Sequence, residues 1–133
     1  MDLIDKKIVY LLRDDSRRSF QSVGGELGLS EAAIRQRVKK LVERKEIKRF
    51  TIDTHFPARA IVAIKTKSNT PTKRIVEKMK KSQIQELFEV AGDFTLFAII
   101  GTDSLELLND VVEHIRSIEG VIDTQTYTVL KQD

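Results

Sequence analysis

The sequence predicts an α+β protein in two parts: three short helices with a ribbon, then a second part in the order β-α-β-β-α-β. Three observations lead there. Before Pro57 the apolar residues recur at helical spacing, whereas beyond it apolar runs of strand length alternate with two further helical patterns. The stretch 28–50, GLSEAAIRQRVKKLVERKEIKRF, opens on a turn signal and continues as a helix apolar on one side and basic on the other. Charge is also lopsided: residues 1–57 carry a net +4 and residues 58–133 a net −1, within a total of +3.

Asp2 can cap the first helix, with Asp5 near its third position, and Ile4, Ile8, Leu11 and Leu12 form its inward stripe. Asp14-Asp15-Ser16 breaks it. A second helix is expected from about Ser19, with Phe20, Val23 and Leu27 inward. Gly24-Gly25 inside it costs about 1 kcal/mol per glycine against alanine, and can serve a close approach of the next helix. Gly28 suits the left-handed conformation that ends a helix, and Ser30 suits the cap of the following one. There Ile34, Val38 and Leu41 form the buried stripe, and Arg35, Gln36, Arg37, Lys39 and Lys40 lie off it. Residues 47–52, IKRFTI, read as a short strand or wing. Residues 1–53 thus predict a winged helix-turn-helix, and residues 54–59, with Pro57 at the seam, a linker.

In the second part, residues 60–66 (AIVAIKT) predict a buried strand. Thr70-Pro71 opens a helix with Ile75, Val76 and Met79 inward. A second strand spans 84–90, Ala91-Gly92-Asp93 turns, and a third strand spans 94–100. Residues 101–104 lead into a helix that buries Leu108, Val111, Val112 and Ile115; Gly120 ends it, and 121–130 is the last strand. This is the split, ferredoxin-like arrangement over residues 60–133, with both helices on one face of an antiparallel sheet. The other face stays open, so a homodimer is expected.

With no cysteine, the chain can form neither disulfide nor thiolate metal site. Its acidic, amphipathic start predicts no signal peptide, and its longest apolar run is far short of a membrane span, so a soluble, cytoplasmic protein with no membrane partner is expected. His55 and His114 stand apart, without metal spacing or a nucleophile motif, so no enzyme, metal or cofactor is predicted.

Residues 34–50 hold eight basic and two acidic residues, which directs attention to double-stranded DNA. In a helix-turn-helix the first turns of the third helix enter the major groove. Ser30, besides capping this helix, is an expected DNA contact, and the candidates for base edges are Glu31, Ala32, Ala33, Arg35 and Gln36, since arginine can bond guanine and glutamine adenine bidentately. Arg37, Lys39, Lys40, Lys48 and Arg49 are expected phosphate contacts. Arg17 and Arg18 are either a further backbone clamp or ion-pair partners of Asp14 and Asp15. The expected activity is sequence-specific regulation of transcription. The alternatives are a DNA-compacting protein of low sequence specificity and a metabolite-binding regulatory module that does not act on DNA.

Four groups of residues, in order along the chain, resemble the Lrp/AsnC (feast/famine) family of prokaryotic and archaeal transcription regulators. They are Asp5-Lys6-Lys7-Ile8 through Leu11-Leu12 to Asp15-Ser16-Arg17; Gly28-Leu29-Ser30 with Arg37-Val38 and Leu41; Val90-Ala91-Gly92-Asp93-Phe94; and Glu119-Gly120-Val121 through Tyr127. The resemblance implies a second part of the RAM type that joins dimers into tetramers or octamers and binds an amino-acid effector. The matching positions are Gly92, Asp93 and Phe94 in the hairpin, Gly101, Thr102 and Asp103 in the turn, and Thr124, Thr126 and Thr128 in the last strand. The chain departs from the family at Lys45-Glu46-Ile47, where a glycine usually precedes the wing, and in a shorter linker. It departs again at Thr95, where the hairpin commonly has an acidic residue.

Overall fold

The structure is a computed structural model that describes residues 1–79 and 83–133. The chain divides into two compact units, Met1–Thr54 and His55–Asp133.

The first unit contains α1 (Leu3–Asp14), α2 (Phe20–Leu27) and α3 (Glu31–Glu43). Asp2 caps α1 in a capping box with Asp5, and Ser19 and Ser30 cap α2 and α3 through their hydroxyls. Ile8, Leu12, Val23, Ile34 and Val38 form the shared core, with Ile4, Leu11, Phe20, Leu27, Leu29 and Ile47 packed around it. Ile34 is wholly buried, so truncation to alanine there removes about 2–5 kcal/mol.

Two glycines shape the turn between α2 and α3. Gly28 takes φ 71° and ψ 30°, a left-handed conformation that an L side chain resists. Gly24 does something different. Its carbonyl accepts the Leu29 amide at 2.8 Å, and a Cβ on Gly24 would stand 2.3 Å from the Leu29 carbonyl oxygen. Gly25 has open space around it.

The expected wing is corrected by the structure: residues 44–57 contain no strand. IKRFTI has β-prone residues, but a strand needs a partner for its amide and carbonyl groups, and no segment of the described residues pairs with it. In place of the glycine, Lys45 itself takes φ 60°. Its amide donates to the Val42 carbonyl at 3.0 Å, and the Glu46 amide to the Leu41 carbonyl at 2.9 Å, which closes α3 in a Schellman turn without glycine. Ile47 then tucks against the core.

The second unit contains β1 (Ala58–Thr66), α4 (Thr72–Met79), β2 (Ile84–Glu89), β3 (Leu96–Thr102), α5 (Leu105–Ser117) and β4 (Val121–Thr128). The sheet order is β2-β3-β1-β4, antiparallel throughout. β1 begins inside the expected linker because Ala58 pairs with Thr102. β3 begins later than expected, at Leu96, because the Val90 amide reaches the Thr95 carbonyl at 2.9 Å and closes the hairpin loop first. Side chains alternate across a strand. Ala60, Val62, Ile64, Leu96, Ala98 and Ile100 therefore meet α4 and α5 through Ile75, Met79, Leu108, Val111, Val112 and Ile115. The opposite face carries Ile61, Phe97, Ile99, Phe88 and Tyr127, and among the described residues of this unit no helix covers it. Phe88 is 47% and Tyr127 57% exposed.

Alanine substitutions at the paired glycines should have opposite signs. Gly25→Ala should stabilise the chain by about 0.5–1 kcal/mol through helix propensity. Gly24→Ala should destabilise it by about 1–3 kcal/mol because α2 and the turn must separate. Denaturant unfolding of the two variants checks both, and equal effects would remove the close-approach argument.

Candidate nucleic-acid interface

With Ile34, Val38 and Leu41 buried, the rest of α3 is turned by helical geometry towards solvent. Glu31, Ala32, Arg35, Gln36, Lys39 and Lys40 are exposed. Ser30 accepts the Ala33 amide at 3.1 Å, so it serves as the cap. Ala33 is half-buried and lines a cleft of about 430 Å³ with Asp2, Asp5, Gln36, Arg37 and Lys40. Arg35 is ion-paired with Glu31 one turn earlier, so two candidate base-reading groups already touch on one exposed face. Lys39, Lys40, Lys48 and Arg49 make no ion pair among the described residues.

Two arginines are placed differently from expectation. Arg37, expected at a phosphate, turns to α1, with its Nη1 2.7 Å from Asp2 Oδ2 and 3.0 Å from Asp5 Oδ1. Arg37 lies on the border of the buried stripe, one residue before Val38, and this is why it reaches a neighbouring helix. Arg18 pairs with neither Asp14 nor Asp15. It donates through Nε to Ser22 Oγ at 2.9 Å and forms an ion pair with Glu26 on α2. Arg17 is exposed and, with Arg49, lines a cleft of about 510 Å³ that Asp14, Asp15, Phe50 and Ile52 also line. The candidate DNA residues therefore fall into an outward group on α3 and a second group where α1 ends.

Asp2 and Asp5 were not among the expected site residues, although they hold Arg37. A capping pair at the chain's start and an arginine beside a buried valine were the available signals. The Asp5 backbone amide is the largest influence on the Asp2 carboxyl and holds it below the usual 3.8, with the Arg37 side chain acting next. The same two aspartates push the Arg37 guanidinium up.

In the second unit the nine candidate ligand positions do not converge. Gly92 and Asp93 are exposed and Phe94 half-buried in the β2–β3 loop, near the end of β1 where Thr95 donates its amide to the Ile64 carbonyl at 3.0 Å. Thr124 pairs with Ile64 at that end. Gly101, Thr102 and Asp103 stand at the other end of the sheet, where Thr128 pairs with Ala60, and Thr126 opposite Val62 lies between. Two of the nine are also occupied by the chain itself. A Cβ on Gly101 would sit 2.6 Å from the Phe56 ring, and the Thr102 hydroxyl, 2% exposed, donates to the Ser104 carbonyl at 2.7 Å. Thr95 fills the place of the expected acid with a hydroxyl 2.8 Å from that of Thr66.

A capped helix-turn-helix with a basic outer face, followed by a βαββαβ domain, defines a class of two-part protein that couples a nucleic-acid-reading fold to an assembly or ligand-binding fold. Residues 1–42 match the AsnC-type helix-turn-helix domain and residues 59–132 the Lrp/AsnC ligand binding domain. The chain belongs to the Lrp/AsnC family. It is similar to the HTH-type transcriptional regulator LysM of Sulfurisphaera tokodaii, with 37% identity over 98% of this chain and 96% of that one. It is also similar to the HTH-type transcriptional regulator FL11 of Pyrococcus furiosus, with 33% identity over 98% of this chain and 90% of that one. Among solved structures it superposes on E. coli AsnC with a TM-score of 0.80, at 22% identity over 99% of this chain and 93% of that one. It superposes on a transcriptional regulator of Neisseria meningitidis complexed with L-Met with a TM-score of 0.86, at 17% identity over 99% of this chain and 91% of that one. These two likenesses establish the fold.

The lowered Asp2 carboxyl has a pH consequence. A depressed folded-state value contributes stability that is complete above the unfolded value and lost as pH falls through the folded one. Wild type should therefore exceed Asp2→Asn in stability at neutral pH, and the gap should close as pH falls below 3.8. Urea unfolding at stepped pH measures this, and a gap that widens on acidification would contradict it.

Proposed function

We propose that this chain is a cytoplasmic, homodimeric regulator of transcription that reads a specific DNA sequence with α3. The observation that carries the reading is the division of α3 itself. One side is locked by Ile34, Val38 and Leu41, while Lys39 and Lys40 project from the other with no ion pair among the described residues. Glu31, Ala32, Arg35 and Gln36 occupy the first turns, where a recognition helix meets base edges. Lys39, Lys40, Lys48, Arg49 and Arg17 supply charge for phosphates, which fix register without reading sequence. Freeing Arg35 from Glu31 costs little, because exposed pairs contribute only about 0–1 kcal/mol.

The open sheet face supports the dimer. Its aromatic and branched side chains would remain wet in a single copy, and a second copy offers the same apolar chemistry. A two-fold pair places recognition helices on half-sites about 34–36 Å apart, or a multiple of that. An amino acid is the proposed effector. The match to a ligand binding domain and the L-Met complex of the Neisseria neighbour support this. Gly92, Asp93, Phe94, Asp103, Thr124, Thr126 and Thr128 remain accessible or partly so. Because they are spread from one end of the sheet to the other, a complete site needs another copy, as a tetramer or octamer would provide.

Titration of selected and random duplexes over a salt series tests the DNA reading. Specific binding should exceed random binding by at least about a thousandfold. Lys39→Ala and Lys40→Ala should each flatten the salt slope by about 0.9, and Arg35→Ala should relax preference at one base pair by about 1–3 kcal/mol. Equal affinity for all duplexes would sink sequence-specific regulation. For the effector, a thermal-shift screen over the twenty amino acids should find one that raises the melting temperature, since a ligand of the native state must stabilise it. No shift at millimolar concentrations would remove the effector from the proposal.

A further inference from the structure

The cluster Asp2, Asp5 and Arg37 joins the start of α1 to the middle of α3, and its oxygens are shared out in a revealing way. Asp2 Oδ1 accepts the Asp5 amide at 2.8 Å, while Oδ2 takes Arg37 Nη1 at 2.7 Å. Asp5 Oδ2 accepts the Asp2 amide at 3.4 Å, while Oδ1 takes the same Nη1 at 3.0 Å. Each carboxylate therefore spends one oxygen on the helix cap and the other on the arginine. The cap fixes both side chains against the backbone of α1, so Arg37 is clamped to a rigid element rather than to two mobile surface groups. Asp5 is 8% exposed, and with Thr102 it makes up the buried polar residues among those described.

We propose that Arg37 is a positioning residue for DNA recognition: through Asp2 and Asp5 it sets the angle at which α3 presents Arg35 and Gln36, and it does not contact phosphate. The proposal rests on the reading of α3 as the DNA-reading helix. The stripe of Ile34, Val38 and Leu41 holds α3 against its neighbours, but hydrophobic contact is non-directional. Two charge-assisted bonds from one nitrogen are directional, and they act at a point between the base-reading first turns and the end of the helix. Breaking them to reach a phosphate would leave Asp5, almost buried, without its cation. Lys40 and Arg44 line the same cleft, so the aspartates also keep three like charges from repelling each other there.

The test compares Asp2→Asn, Arg37→Ala, Arg37→Lys and, as a phosphate-contact reference, Lys39→Ala. Binding is measured over a salt series, on a duplex that the wild type selects from a random pool and on random duplexes. Asparagine caps a helix as well as aspartate, so Asp2→Asn keeps α1 capped while replacing the charged acceptor that faces Arg37 with a neutral amide nitrogen that cannot accept from it. Simple electrostatics says that removing a negative charge near DNA strengthens binding. The anchor predicts the reverse: Asp2→Asn and Arg37→Ala both lose about tenfold or more in specific affinity, with random binding and the salt slope unchanged. Arg37→Lys, which keeps one nitrogen able to bridge both carboxylates, restores most of the loss. Tighter binding by Asp2→Asn would overturn the proposal. So would an Arg37→Ala variant that, like Lys39→Ala, loses affinity for all sequences and flattens the slope by about 0.9. If Arg37→Ala does not fold, Asp2→Asn alone decides. Wild type that binds no duplex at all overturns the underlying DNA reading as well, so the two failures are distinguishable.

Discussion

Burial of Ile34, Val38 and Leu41 is the constraint on which the first unit depends. Three side chains one helical turn apart can be removed from water together only if α3 lies with that side on α1 and α2. Once it does, Lys39, Lys40, Arg35 and Gln36 have nowhere to point but outward. The basic face is thus a consequence of the core. The entry turn follows from the same requirement: Gly24 lets the Leu29 carbonyl approach so closely that any side chain there would push the turn away from α2.

The second unit solves its burial problem on one side only. α4 and α5 cover the even-numbered residues of β1 and β3, and the odd-numbered residues, Ile61, Phe97 and Ile99 among them, make the uncovered face. Two elements of the chain already reach into positions that resemblance alone would give to a ligand. Phe56 stacks over Gly101, and Thr102 bonds back to Ser104. These contacts narrow the accessible set to the β2–β3 loop, Asp103 and the threonines of β4.

Much of this was legible in advance for a physical reason. Helices whose caps and apolar periodicity agree, as in Asp2 with Ile8 and Leu12 or Ser30 with Ile34 and Val38, announce themselves because both signals are local. The order of elements in the second unit was equally plain. Strands were less so at their ends: hairpin closure by Val90 and Thr95 delayed β3, and pairing with Thr102 drew β1 forward. The ribbon at 47–52 failed for the same reason, since β-propensity describes a residue's fit to a sheet and cannot supply the neighbouring strand.

The order of residues alone specifies which segments are helical, which face of α3 is apolar and which is basic, and that the second half is β-α-β-β-α-β. Those properties depend on neighbours within a turn or two. How the charged groups are used depends on the folded packing. It tied Arg37 to Asp2 and Asp5, Arg18 to Glu26, and left Lys39 and Lys40 outward. Composition counts all these residues as one basic patch, but Coulomb attraction falls with distance, and distances between residues thirty positions apart exist only once the chain has folded.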